Sequence, residues 1–184
     1  MMKELIQLDG GVMPGKPVIT QIDPDTLTVE EKKNALNAVN SIKLKRDGRV
    51  KICSCANGLK QRMNLKKYDT VASPTVSLEE VFTTLLIGAY EERKFISFDI
   101  PGAFLQAEMS EDKLLLLKMN GRIAEMMCEV NPEYKKYIHK ENGTIVLYLK
   151  IIRAIYRCID AALQWCKMFT NKLKNEEFEL NHRE

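Results

Sequence analysis

The sequence predicts an α+β fold, in which strands and helices mix without the regular βαβ alternation of a parallel sheet. Three observations carry this. Asp47-Gly48 joins two alternating apolar and polar runs, at 42–45 and 50–53, the strongest short hairpin signal because both turn residues tolerate positive φ. Thr28-x-x-Glu31 and Ser77-x-x-Glu80 are capping boxes, each opening a helix. Short apolar runs at 95–98, 114–119 and 144–151 read as strands, the last entered through Asn142-Gly143.

In chain order, Gly10, Gly11, Pro14, Gly15 and Pro17 predict an irregular lead-in over residues 1–26, ahead of a single domain at 27–184. The first helix is expected from Thr28 to about Val39. The hairpin follows, with Lys43, Lys45, Arg49 and Lys51 on the face opposite Leu44, Val50 and Ile52. From Ser77 a helix runs to about Glu92, with Val76 and Val81 placed as a hydrophobic staple. Its stripe of Phe82, Leu85, Leu86 and Ala89 is expected to pack on the sheet. Residues 122–128 and 132–137 read as helical. A long helix at 159–176 carries Leu163, Met168, Phe169 and Leu173.

A chain of 184 residues suits one domain. No apolar run approaches the roughly 20 residues that cross a bilayer, and Met1-Met2-Lys3-Glu4 lacks the apolar core of a secretion signal. Five irregularly spaced cysteines fit reduced thiols, so an intracellular setting, cytoplasmic or nuclear, is expected, with no membrane partner. Cys53-x-Cys55 has no second pair or nearby His to complete a zinc site. The net charge of +3 hides a cluster: nine Lys or Arg residues between Lys43 and Lys67 stand against the single Asp47. Such a stretch is either a solvated face or a surface for a polyanion, nucleic acid or nucleotide phosphate.

Phe95-Ile96-Ser97-Phe98-Asp99 puts a carboxylate at the end of a predicted strand, and Ile100-Pro101-Gly102-Ala103-Phe104-Leu105 turns the chain at once. A hard oxygen ligand and an aromatic plate at one turn suit a site for a metal-bound polyphosphate against a flat or sugar-like group. The alternative is an aspartate opening a turn, with Phe104 in the core.

Taken together, these residues resemble the reverse transcriptases of copia-type retrotransposons, over about Leu27 to Asn181. Phe98-Asp99-Ile100-Pro101-Gly102-Ala103-Phe104-Leu105-Gln106 is similar to the family's first catalytic motif. Lys45-Arg46-Asp47-Gly48 and Cys55-Ala56-Asn57-Gly58-Leu59-Lys60-Gln61-Arg62 resemble the fingers hairpin and the loop after it. Ala72-Ser73-Pro74-Thr75-Val76-Ser77 resembles the entry to the fingers–palm helix. Val146-Leu147-Tyr148 and Ala154-Ile155-Tyr156 resemble the strand and turn before the second palm helix, and Trp165 with Phe178-Glu179-Leu180-Asn181 completes the order.

The resemblance implies a partial polymerase: fingers and front palm, a mixed or antiparallel sheet packed by helices, adding dNTPs to a primer on an RNA or DNA template. It implies that Asp99 is the first of three aspartates holding two Mg2+ or Mn2+ ions, and that Phe104 is a steric gate beneath the incoming sugar. It places the backbone amides of Ile100, Gly102 and Ala103, with Lys51, at the triphosphate. Lys43, Lys45, Arg46, Arg49, Lys60 and Arg62 would meet nucleic acid. The chain stops at Glu184, before the family's Tyr-x-Asp-Asp motif would begin, so no polymerisation is expected from it alone.

Four departures suggest a decaying copy. Cys53 stands where the family usually has a triphosphate-binding arginine, and Asp160 where a glutamine is common. Arg157 replaces the glycine of a Tyr-Gly turn, and Glu177 the glycine that ends the long helix, which is expected to lose the left-handed C-cap. Three readings are therefore open: half of an enzyme, a nucleic-acid-binding module without catalysis, or a fragment with no retained role.

Overall fold

The structure, a computed structural model, describes residues 1–48, 50–59, 61, 73–110 and 114–178, with only the backbone of Ile42 and of residues 50–53. Its centre is β6 (Thr144–Ile151), the longest uninterrupted apolar run, whose Val146, Leu147, Tyr148 and Leu149 are all buried. One edge of β6 pairs antiparallel with β4 (Leu116–Asn120). The other is shared by β1 (Ile19–Gln21) and β5 (His139–Glu141). Beyond β4 the sheet continues through a short parallel contact with β2 (Leu36–Leu44), which pairs antiparallel with β3 (Val50–Ala56). The order β1-β6-β4-β2-β3 gives a mixed sheet, and with the helices around it the chain is α+β.

Both faces of the sheet are covered, which is why β6 reads as continuous rather than alternating. Leu147, Leu149 and Ile151 face the main core. There they meet Leu5 and Leu8 of α1 (Met2–Gly10) and Ala124 and Met127 of α5 (Arg122–Val130). Val146 and Tyr148 face a smaller cluster with Leu27, Ala35 and Leu116, laid over the opposite face by the chain around α2 (Val29–Asn34). The 3-10 turns Pro24–Thr26 and Pro132–Tyr137 sit between these pieces. Among the described residues no helix is long and apolar enough to cross a membrane.

Four expectations need correction. The lead-in is not irregular: α1 forms first, with Leu5 and Leu8 buried one turn apart, and the glycines begin only where it ends, at Gly10 and Gly11. The helix opened by Thr28 has its capping box but stops at Asn34, not near Val39. Residues 36–44 join the hairpin instead, so that the ladder from Leu44↔Val50 continues to Ala38↔Ala56 and the base of β3 keeps its partners.

The helix opened by Ser77, α3 (Leu78–Tyr90), is likewise capped as expected. Its apolar stripe does not pack on the sheet: Phe82 and Leu86 are exposed, and of the helix only Gly88 is buried, beneath the ring of Phe95. The fourth correction concerns 95–99, which form no strand. Ile96 is 86% exposed and nothing in the sheet pairs with the segment. A strand needs a neighbour for its N–H and C=O groups, and β4 and β6 already fill each other's adjoining edges.

Candidate functional site

Three segments far apart in sequence converge where β3 ends. The turn after Asp99 is made by Pro101 and Gly102, whose φ of +60° is left-handed and whose missing Cβ lets Val12 pack close. A short helix, α4 (Ala103–Gln106), follows. It brings the Phe104 ring edge-on to Tyr156, with centroids 5.2 Å apart, while Leu105 enters the core. The Gln106 amide donates to the Pro101 carbonyl at 3.2 Å and closes the turn on itself.

The second segment, 152–160, leads from β6 to α6 (Ala161–Asn175). Ala154 N–H donates to Ala107 C=O at 2.9 Å. Arg153 lies buried beside it. Its guanidinium donates to Gln106 C=O and to the Glu108 carboxylate, each at 2.6 Å, although Nε has no partner among the described residues. The buried charge is thus neutralised by an exposed carboxylate, which fixes the end of α4 to the end of β6.

The third segment is the loop after the hairpin. Ala56 N–H donates to Tyr156 C=O at 3.1 Å, and the Gln61 side chain accepts from Ile159 N–H at 3.1 Å. Gly58 lies so close to Arg157 C=O that a Cβ there would sit 2.3 Å from the oxygen. The matches to the first catalytic motif, the post-hairpin loop and the turn before the long helix therefore meet at Tyr156. At this corner burial pushes the Cys158 thiol up to about 12, so it stays protonated and inert.

Arg157, in the position of the expected glycine, has a φ of +71°. At the far end of α6, Glu177 has a φ of +65° and sits at the heart of a complete Schellman cap. Phe178 N–H donates to Leu173 C=O, and Glu177 N–H to Lys174 C=O. The expectation that Glu177 forfeits the left-handed cap is therefore corrected: the cap persists and a non-glycine residue bears its strain. Asp160, in the glutamine position, lies at the N-cap of α6 with Oδ1 buried and unpartnered among the described residues.

The other expected site residues do not join this corner. Asp99 is exposed, and no described residue bonds to its carboxylate. Ile100, Gly102 and Ala103 are half-buried. Lys43, Lys45 and Arg46 stand exposed at the hairpin tip, and position 43 is the direct cross-strand partner of Lys51. Leu44 on the opposite face is 69% exposed, so neither side of the tip is covered there. Arg49, Lys60 and Arg62 lie outside the described residues, as do the side chains of Lys51 and Cys53.

Sequence reading missed a polar network on the second face of the sheet. Glu141 of β5 accepts from Lys118 of β4 at 2.5 Å and from Tyr148 of β6 at 2.8 Å, and contacts His139 Nε2 at 2.9 Å. The Lys118 hydrogen bond foremost, helped by His139 and Tyr148 against the opposing effect of burial, holds the Glu141 carboxyl down at about 2. Burial pulls the Lys118 ammonium the other way, but Glu141 and Tyr148 outweigh it and its pKa ends raised. These residues come from three separate strands, and β5 is three residues long, so no local pattern announced them.

Among the described residues, no group of three or more His, Cys, Asp or Glu side chains could hold a metal ion. Asp99 brings one exposed carboxylate where two divalent ions need several. The described residues do not supply the ligands that the implied metal pair needs. Compared with family models, with characterised proteins and with solved structures, the chain matches none.

Proposed function

We propose that this chain is the fingers and front-palm part of an RNA-directed DNA polymerase of the copia retrotransposon type, and that its own capacity is to bind nucleic acid without extending it. The observation that carries the reading is the backbone at Arg157 and Glu177. Both positions, where the resemblance expects glycine, are left-handed although neither residue is glycine. An L-residue avoids that conformation at a cost of about 1–2 kcal/mol, so its presence there fits a fold laid down around glycines. The meeting of three motif segments at Tyr156 supports the same reading.

Binding rests on the β2–β3 hairpin. Opposed positions 43 and 51 place like charges across one ladder, an arrangement unfavourable by itself and relieved by a phosphate between them. Lys45 and Arg46 extend the same charge to the exposed turn. Phosphate recognition of this kind is independent of base sequence.

Fluorescence anisotropy with a labelled RNA–DNA hybrid tests the binding. Affinity should fall steeply with salt, and the triple change Lys43→Ala, Lys45→Ala, Lys51→Ala should flatten the salt slope by about 1 for every phosphate left without its lysine. Affinity and slope unchanged in the triple variant would sink the binding proposal. Primer extension with Mg2+ or Mn2+ should give no product from the chain alone; an Asp99-dependent product would overturn the non-catalytic half.

A further inference from the structure

From Lys94 to Asp99 the chain lies outside any helix or strand, and its backbone N–H and C=O groups bond to no described residue. Ile96 and Phe98 are 86% and 72% exposed, while Phe95 is held against Gly88 of α3. An unpaired apolar segment of this kind is a template for another strand. We propose that its partner is the same segment of a second copy, paired antiparallel about a two-fold axis at Ile96.

Symmetry and charge select that register. Two antiparallel strands related by a two-fold axis pair residues that share a face, so the axis passes through a residue and not between two. With the axis at Ile96, Ile96 meets its own copy, Phe95 lies opposite Ser97, and Arg93 lies opposite Asp99 at both ends. Shifting the axis to Ser97 would set Phe95 opposite Asp99 and leave both charges unmatched. Arg93 now has only an exposed ion pair with Glu91, 67% and 41% exposed respectively, which is cheap to exchange. Asp99 has no partner among the described residues. The pairing satisfies the bare backbone, buries Ile96 at the centre and brackets it with two opposite-charge pairs. It does not depend on the polymerase reading, since it needs only the segment's own groups.

Sedimentation equilibrium of the 184-residue chain tests the proposal. The expected species is a dimer in concentration-dependent exchange with monomer. Arg93→Asp and Asp99→Arg should each weaken it about tenfold to a hundredfold, because every reversal turns two attractive cross-strand pairs repulsive. The double variant R93D/D99R should restore the original affinity. Of Ile96→Pro and Ser97→Pro, whose N–H groups point to opposite edges of the strand, one removes a ladder donor and should abolish the dimer while the circular dichroism of the sheet body is kept. A chain that stays monomeric at every concentration reached overturns the proposal. So does any association, dimeric or larger, that ignores the single reversals or is not rescued by the swap. Nucleic-acid affinity is measured separately, so failure of that binding leaves this result standing.

Discussion

The strand β6 has β4 along one edge and β1 with β5 along the other, and its Leu147 and Leu149 are fully buried. Residues 95–98 are as apolar in sequence, yet they have no strand at either side and leave Ile96 and Phe98 in solvent. α1 and α3 differ in the same way. Leu5 and Leu8 of α1 reach the core, whereas α3, with a longer apolar stripe and a complete capping box, lies open. Apolar content sets how much burial a segment can gain; whether it gains any depends on a partner whose backbone is still free.

Truncating one side chain in each region should separate them most. Leu147→Ala should cost about 2–5 kcal/mol, as expected for a large side chain removed from a close-packed core. Ile96→Ser and Phe82→Ala, on the open side, should each stay within about 0.5 kcal/mol. Urea unfolding at concentrations where the chain is monomeric, followed by circular dichroism, reads both. If Ile96→Ser proved as destabilising as Leu147→Ala, residues 95–98 would belong to the core and the contrast would fail.

A smaller effect separates backbone positions that keep their glycine from those that have lost it. Gly102→Ala should destabilise by about 1–2 kcal/mol for the left-handed backbone, and more if Val12 cannot yield to a Cβ placed 2.7 Å from its methyl group. Arg157→Gly and Glu177→Gly should do the reverse. Relief of the same strain, less glycine's added unfolded-state entropy of about 0.5–1 kcal/mol, leaves a gain of roughly 0.5–1 kcal/mol each. Thermal melts of the three variants decide it; a loss of stability in both reverted variants would remove the support these positions give to the polymerase reading.

Local chemistry was legible and pairing was not. Both capping boxes, the Asp47-Gly48 hairpin, the Pro101-Gly102 turn and β6 form where spacing and composition put them, because each is decided within a few residues. The extension of β2 back to Leu36 was hidden because it depends on β3 as far as Ala38 and on the distant β4 at Leu36 and Asn37, beyond the reach of any local pattern. The exposure of α3 and of 95–98 was hidden for the same reason, since an amphipathic stripe does not say which surface will meet it. At the candidate site, Phe104 was legible as an aromatic near the turn, but its partner Tyr156 and the buried Arg153 come from a distant part of the chain. An arginine inside the apolar run Ile151-Ile152-Arg153-Ala154-Ile155 was the one signal available for the latter.

The edge of β6 that β5 covers offers the gentlest probe, because β5 is very short and a polar network pins it there. Glu141 takes hydrogen bonds from Lys118 on β4 and Tyr148 on β6, so its carboxylate links three strands. Its folded-state pKa of about 2 lies below the ordinary 4.5. A carboxylate depressed in this way adds stability that is fully present above 4.5 and is lost as pH falls towards 2. Side-chain exposure of 32% limits that contribution through solvent screening to about 1 kcal/mol. The protein should therefore lose stability on acidification over this window, and Glu141→Gln, which keeps the shape without the charge, should start about that much lower near neutral pH and lose less. The difference between the two acid titrations isolates this carboxylate from all others. Parallel curves would mean that β5 is held by its ladder to β6 alone, and that backbone pairing without side-chain help is enough to close an edge in this sheet.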